Sequence, residues 1–176
     1  MSVTELILGI VLVVVPAAGV FYTAYFFLRK QSEKEIIHLQ IELKRARQEF
    51  FLPPRVEAYQ RAVLLMERIH PGSLVMRLHN PAHPAKRMQS DILQAIREEY
   101  DHNVSQQLFI SPQAWEMLRN SKEETIKIIN IAGNQMEPTS TGTDLAAKIF
   151  EIVAEVGTLP TEITVEYLKK EFQELF

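Results

Sequence analysis

The sequence predicts an all-α protein with one transmembrane helix, a short juxtamembrane helical stalk and a bundle of about five helices. A run of 23 uncharged residues separates Glu5 from Arg29, and the apolar residues beyond it recur at spacings of three and four, as on one face of a helix. The chain of 176 residues has no cysteine, which excludes disulfides, cysteine-ligated metals and thiol nucleophiles.

The uncharged run over residues 6–28 is predicted to be the transmembrane helix, because as a helix it would reach about 34 Å. Lys and Arg follow this run and none precedes it. This pattern predicts a single-pass protein of the inner (cytoplasmic) membrane, with residues 1–5 outside, the C-terminal domain in the cytoplasm and the lipid bilayer as a partner. The alternative is a signal peptide cleaved near residues 15–17, but a basic start is missing.

The stalk is predicted over residues 29–51, a basic helix or short coiled coil. Its apolar residues follow the 3, 4, 3, 4 spacing of a coiled-coil seam: Ile36, Leu39, Leu43, Ala46 and Phe50. The spacing predicts a possible homo-oligomer through residues 36–50. With two heptads, the stripe could instead pack on the protein's own domain.

Residues 52–54, Leu-Pro-Pro, are predicted to stop this helix and form a hinge, since proline donates no backbone hydrogen bond. A helical domain is then expected over residues 55–176. Its apolar stripes predict one helix ending near His70, one around Met88–Tyr100, one starting at Ser111-Pro112, one closed by Gly157 and one opened by Pro160.

No pattern in the chain predicts a catalytic, cofactor-binding or metal-binding residue. His79 and His83 have a ligand spacing, but the prolines around them exclude the shared helical face. The six glycines form no nucleotide-binding motif, and residues 98–176 carry six basic residues against fourteen acidic ones. We therefore expect no cofactor and no nucleic-acid partner.

Two runs in the domain resemble a known family. Residues 54–61 (PRVEAYQR), continued by 65–69, and residues 99–111 (EYDHNVSQQLFIS), with Ala114-Trp115, are similar to an uncharacterised family of bacterial single-span membrane proteins that carry a domain of unknown function. The resemblance implies no activity. It draws attention to polar residues that a helical fold alone does not require: Arg61, Glu67, Arg68, His102, Asn103, Gln106 and Gln107.

These polar residues have two possible roles. They form a buried structural network between two helices, or they form a surface for a protein partner, with Tyr59 and Trp115 as its anchors. The function that we expect is a noncatalytic membrane-tethered helical interaction module, an adaptor or accessory subunit of a larger membrane complex. One alternative is a membrane-bound enzyme that uses Glu67, Arg68 and His102, and another is a lipid- or envelope-binding structural protein.

Overall fold

The computed structural model describes residues 3–174, apart from the side chains of residues 5–11, 13 and 32. Within this part every regular element is a helix, so the all-α prediction is confirmed, with about six helices. They are α1 (Val3–Ile69), α2 (Pro71–Leu78), α3 (Ala85–Asn103), α4 (Pro112–Asn134), α5 (Gly142–Val156) and α6 (Pro160–Gln173), and a 3-10 helix, Val104–Leu108, links α3 to α4.

The prediction of a transmembrane helix is wrong. Across the residues that the structure describes, no helix is both long enough and apolar enough to cross a membrane. The side chains of residues 6–11 and 13, within the predicted span, lie outside the described residues. The predictions of a single-pass topology and of an inner-membrane location depended on this helix and are wrong as well.

The predicted helix stop at residues 52–54 is also wrong, because α1 continues through both prolines. Each proline removes one helical hydrogen bond, to the carbonyl of Glu49 or of Phe50. Both of these residues are exposed, so water can satisfy the two carbonyls. The chain nevertheless divides into two compact units at this place, after Phe51.

In the first unit, ion pairs between residues four positions apart stabilise the charged part of α1. Arg29 lies 3.6 Å from Glu33, and Arg45 lies 3.1 Å from Glu49. Both pairs are exposed, so each stabilises the helix by a few tenths of a kcal/mol at most, about 0.3–0.5. The apolar side chains of this segment are exposed as well, with Leu43 at 60%.

The second unit has one hydrophobic core, to which each of its longer helices contributes one face. Tyr59, Leu65 and Met66 of α1 are at most 2% exposed. The largest buried side chains of the other helices are Leu74 of α2, Met88, Ile92 and Ile96 of α3, Leu118 and Ile129 of α4, Leu145 and Ile149 of α5, and Leu168 of α6. The stripes that the spacing predicted are therefore the buried faces.

Local signals set where the helices begin and end. The Ser111 hydroxyl accepts a hydrogen bond from the Ala114 amide at 3.1 Å and starts α4. At the start of α5, the Thr141 amide donates to the Asp144 carboxylate at 2.7 Å, and the Thr141 hydroxyl accepts from the Asp144 amide. Gly157, with φ of +76°, ends α5.

Two loops meet beside the start of α3. The Gly142 amide donates to the His83 carbonyl at 2.8 Å, and the Ala85 amide donates to the Ser140 carbonyl at 2.9 Å. Gly142 has no room for a side chain, since a Cβ there would lie 2.8 Å from the Asn80 carbonyl oxygen. The starts of α3 and α5 are therefore tied directly to each other.

Candidate interaction groove

An open groove of about 840 Å³ lies between the C-terminal turns of α1 and the C-terminal end of α3. We call it the α1/α3 groove. Its lining comprises Glu57, Gln60, Arg61, Leu64, Leu65 and Arg68 from α1, and Glu98, Glu99, His102 and Asn103 from α3. All of these residues belong to the second unit.

The helical repeat of α1 explains why its polar residues gather here. Glu57, Arg61, Leu64 and Arg68 are separated by four, three and four residues, so they lie along one face of the helix. The neighbouring positions 58, 62, 65 and 69 form another face, which is buried in the core. One stretch of α1 therefore supplies both the core and the wall of the groove.

A cross-helix ion pair connects the two walls. Arg68 Nη2 lies 2.6 Å from Glu99 Oε1, and Arg68 Nε donates to the same oxygen at 2.7 Å. Arg77 of α2 approaches this oxygen at 3.6 Å. The Glu99 side chain is 16% exposed, whereas that of Arg68 is 47% exposed. Glu99 thus has two cationic neighbours that offset the cost of its partial burial.

Two more of the predicted polar residues hold local structure at the groove. The Asn103 side-chain amide donates to the Glu99 carbonyl at 2.8 Å, one turn back along α3. Arg61 Nε donates to Glu57 at 2.9 Å along the exposed face of α1. Arg61 keeps further N–H donors for another molecule, because a guanidinium carries five.

Three side chains of the α1/α3 groove remain open to a ligand. The side chains of Gln60 and His102 are exposed and form no hydrogen bond or ion pair with any residue that the structure describes. Leu64 is 55% exposed, although it is a large apolar residue next to a fully buried leucine. The fold does not require these three side chains.

The structure does not bring all seven predicted polar residues together. Arg61, Arg68, His102 and Asn103 line the α1/α3 groove. Glu67 lies in a different, smaller cavity of about 290 Å³, which His70 and Glu162 also line. Gln106 and Gln107 belong to the 3-10 helix, where the Gln107 amide donates to the Val104 carbonyl at 2.9 Å.

The two predicted partner anchors serve the interior of the domain. Tyr59 is 2% exposed and its ring packs on Phe172, with 5.7 Å between the centroids, so it offers no surface to a partner. Half-buried Trp115 packs on Tyr100 at 5.6 Å, and Lys122 Nζ lies 4.2 Å from the Tyr100 ring centroid. Both aromatic residues hold helices together.

Tyr59 also lies in a buried polar cluster at the edge of the core. Burial, followed by the charge of the Glu171 carboxylate, raises the pKa of Tyr59, while Arg55 opposes this shift. Burial and the same carboxylate raise the pKa of Tyr167. Both phenols therefore stay neutral at physiological pH.

Sequence reasoning missed Glu57, Gln60, Leu64, Glu98 and Glu99 as groove residues. For the residues on α1 the sequence did contain a signal, since Leu64 is an apolar residue one position away from the stripe that the core buries. On α3 no comparable signal existed, because nothing local predicts which helix lies opposite Glu98 and Glu99.

No group of three or more His, Asp or Glu side chains that could hold a metal ion occurs among the described residues. The fold and the groove thus define an all-α protein with an open polar groove.

A family model matches residues 5–175, and the chain belongs to the family of unknown function DUF7935. The predicted membership of an uncharacterised family is confirmed. No curated protein and no solved structure matches the chain.

Proposed function

We propose that this protein is a noncatalytic interaction module that binds a segment of a partner protein in the α1/α3 groove. The observation that carries the proposal is that Gln60, Leu64 and His102 line the same groove, and that their exposed side chains form no hydrogen bond or ion pair with any described residue. A concave surface that combines an apolar side chain with hydrogen-bonding groups lacking intramolecular partners can accommodate a polypeptide segment.

The charges of the groove favour a polypeptide over a polyanion. Its lining contains two arginines and three glutamates, and both arginines already have a carboxylate partner, Glu57 or Glu99. A nucleic-acid site would instead show an excess of positive charge. The fitting partner is a mixed-charge segment with one apolar side chain for Leu64 and polar groups for Gln60 and His102.

The positions of the three residues of the enzyme alternative support the interaction module. Arg68 is engaged by Glu99, and Glu67 lies in the smaller cavity, apart from His102. General acid–base chemistry needs its groups within reach of one reacting atom. No described feature favours the enzyme over the module.

Site-specific photo-crosslinking in cells tests the proposal. A photoreactive amino acid replaces Gln60 or Leu64 in the full chain, and the matched controls replace Ile163, which is 50% exposed on α6, or Phe150, which is 43% exposed on α5. We expect a discrete adduct with one protein at the groove positions and none at the controls. No adduct at the groove, or the same adduct at Ile163, would overturn the proposal.

Substitutions in the groove then separate binding from adventitious proximity. With the probe at Gln60, Leu64→Asp and His102→Ala should each reduce the adduct, since they remove an apolar contact and a hydrogen-bonding group. Ile163→Asp is the matched control and should leave the yield unchanged. Circular dichroism checks that each variant is folded. An adduct that survives both groove substitutions contradicts the proposed site.

A further inference from the structure

We propose that residues 36–50 of α1 pair with the same residues of a second copy of the chain as a parallel, in-register coiled coil. This inference does not rest on the α1/α3 groove. It starts from the apolar seam formed by Ile36, Leu39, Leu43, Ala46 and Phe50, which the structure places on one continuous helix.

The seam has no cover within its own unit. Ile36, Leu39 and Leu43 are 55%, 57% and 60% exposed, and Phe50 is 74% exposed. In a heptad whose first and fourth positions are a and d, Ile36, Leu43 and Phe50 are a residues, and Leu39 and Ala46 are d residues. A β-branched residue at a followed by leucine at d favours two strands, as at Ile36 and Leu39.

The charges beside the seam select a second copy of this chain as the partner. In a parallel dimer, a g residue faces the e residue five positions further along the other helix. Glu42 occupies g and Arg47 occupies e, so two symmetric Glu42–Arg47 pairs would form across the dimer. A second copy of the chain therefore places an arginine opposite Glu42 and a glutamate opposite Arg47.

The same positions disfavour an antiparallel dimer. There, g residues face g residues. Both g positions within residues 36–50 are glutamate, Glu42 and Glu49, and so is the g position directly before the segment, Glu35. Carboxylates would then meet carboxylates across the interface, and like charges at close range are unfavourable. The charge pattern thus fixes the orientation as well as the partner.

The intrachain pairs leave this arrangement available. Arg47 makes no ion pair with any described residue, and Arg45 pairs with Glu49 on its own helix. Glu42 has His38 as its neighbour at 3.4 Å, a pair that is charged only when the imidazole is protonated. Positions 42 and 47 are five apart and do not face each other on one helix, so their coupling reports on pairing between chains.

Cysteine cross-linking of the full chain tests the register, since the natural sequence contains no cysteine. Single variants carry cysteine at the seam, Leu39→Cys or Ala46→Cys, or off the seam, Ile37→Cys or Ile41→Cys. With helix axes about 10 Å apart and Cα atoms about 2.3 Å from each axis, seam Cα atoms approach to about 5–6 Å, within disulfide reach. The Cα atoms of the off-seam residues lie farther apart than a disulfide can span.

Under mild oxidation we expect both seam variants to form disulfide dimers in at least about tenfold higher yield than both off-seam variants, because disulfides need Cα atoms within about 7 Å. Self-cross-linking at both residues 39 and 46 requires parallel strands in register. Equal yields at all four positions would indicate unspecific association through other apolar residues and would overturn the proposal, as would the absence of cross-links at the seam.

Charge reversal tests the Glu42–Arg47 pairing in the Leu39→Cys background. Glu42→Lys alone, or Arg47→Glu alone, places like charges across the parallel dimer and should lower the disulfide yield severalfold. The double variant restores opposite charges and should recover the yield. Lys44→Glu, a charge reversal outside the e and g positions, is the control. Failure of the double variant to recover would contradict the parallel pairing.

Discussion

Helix α1 carries two apolar stripes that have opposite environments in the structure. In the first unit, Leu39 and Leu43 are more than half exposed, while in the second unit, Leu65 and Met66 are at most 1% exposed. The stripes have similar residues, but among the described residues only the second stripe is covered by other residues of its own unit. Helical periodicity therefore identifies a face that needs a partner without indicating whether that partner is the same chain or another molecule.

Leucine-to-alanine substitutions along α1 should give the largest contrast between the stripes. Leu65→Ala creates a cavity in the core and should lower the free energy of unfolding by about 2–5 kcal/mol. At protein concentrations low enough to keep the chain monomeric, Leu43→Ala and Leu64→Ala, at exposed positions, should each change it by about 0.5 kcal/mol or less. Denaturant unfolding followed by circular dichroism measures all three. Similar losses for Leu43→Ala and Leu65→Ala would remove the distinction between the stripes.

Two glycine substitutions sharpen the comparison by testing how tightly the bundle around the buried stripe is assembled. Gly142→Ala should destabilise the protein by about 1–3 kcal/mol, because the new methyl meets the Asn80 backbone carbonyl at 2.8 Å. The new methyl of Gly133→Ala meets the flexible end of the Gln89 side chain instead. The gain in helix propensity of about 1 kcal/mol offsets the loss from the disturbed Gln89–Asn130 hydrogen bond. Thermal unfolding should rank Gly142→Ala well below Gly133→Ala.

The arginines of the α1/α3 groove test its border with the buried stripe. Arg68→Ala leaves the partly buried Glu99 with Arg77 as its cationic neighbour and should cost about 1 kcal/mol of unfolding free energy. Arg61→Ala breaks an exposed pair on one helix and should cost at most about 0.5 kcal/mol. Chemical denaturation of both variants is the measurement. A larger loss for Arg61→Ala would contradict the assignment of Arg68 as the cross-helix residue.

The smallest effect that we predict is a pH dependence at the start of α5. Hydrogen bonds from the Thr141 amide and hydroxyl hold the pKa of Asp144 below its usual value. Because the folded pKa is depressed, this contribution to stability is present above about pH 4 and is lost as the pH falls through the folded pKa. The stability of the wild type should therefore decrease more than that of Asp144→Asn between about pH 5 and pH 3.

Thr139→Ala, at a neighbouring exposed position whose side chain forms no hydrogen bond with any described residue, is the control for this measurement. It should follow the pH profile of the wild type. Identical profiles for the wild type and Asp144→Asn would show that the capping box does not contribute to the pH dependence.

The sequence predicted helices where local signals are strong. Ser111-Pro112, Gly157 and Pro160 identified the boundaries of α4, α5 and α6, since capping and proline geometry act within a few residues. Helix α2 was missed because Pro71-Gly72 resembles a helix end. In the structure, the His70 ring nitrogen accepts from the Gly72 amide at 3.1 Å and starts α2 there.

The candidate groove was predictable in part. Arg61, Arg68 and His102 were selected from the sequence and lie together, but Glu67 does not join them. Glu67 precedes Arg68 directly, and consecutive residues of a helix point about 100° apart, so one helix sends them to different cavities. Tyr59 was selected as a surface anchor, although its position belongs to the buried stripe. Residues that are close in sequence were therefore assigned to one site, although the helical repeat places them on different faces of α1.

The tie between the His83 carbonyl and the Gly142 amide has a consequence for protein engineering. Loops usually tolerate added residues, yet an insertion within residues 80–84 or 139–142 would break the hydrogen bonds that join these two loops. The turn at Gly157-Thr158 is exposed, and a Cβ at Gly157 would meet no atom within 4 Å. An epitope tag or a fluorescent reporter therefore belongs at that turn, with the paired loops left at their natural lengths.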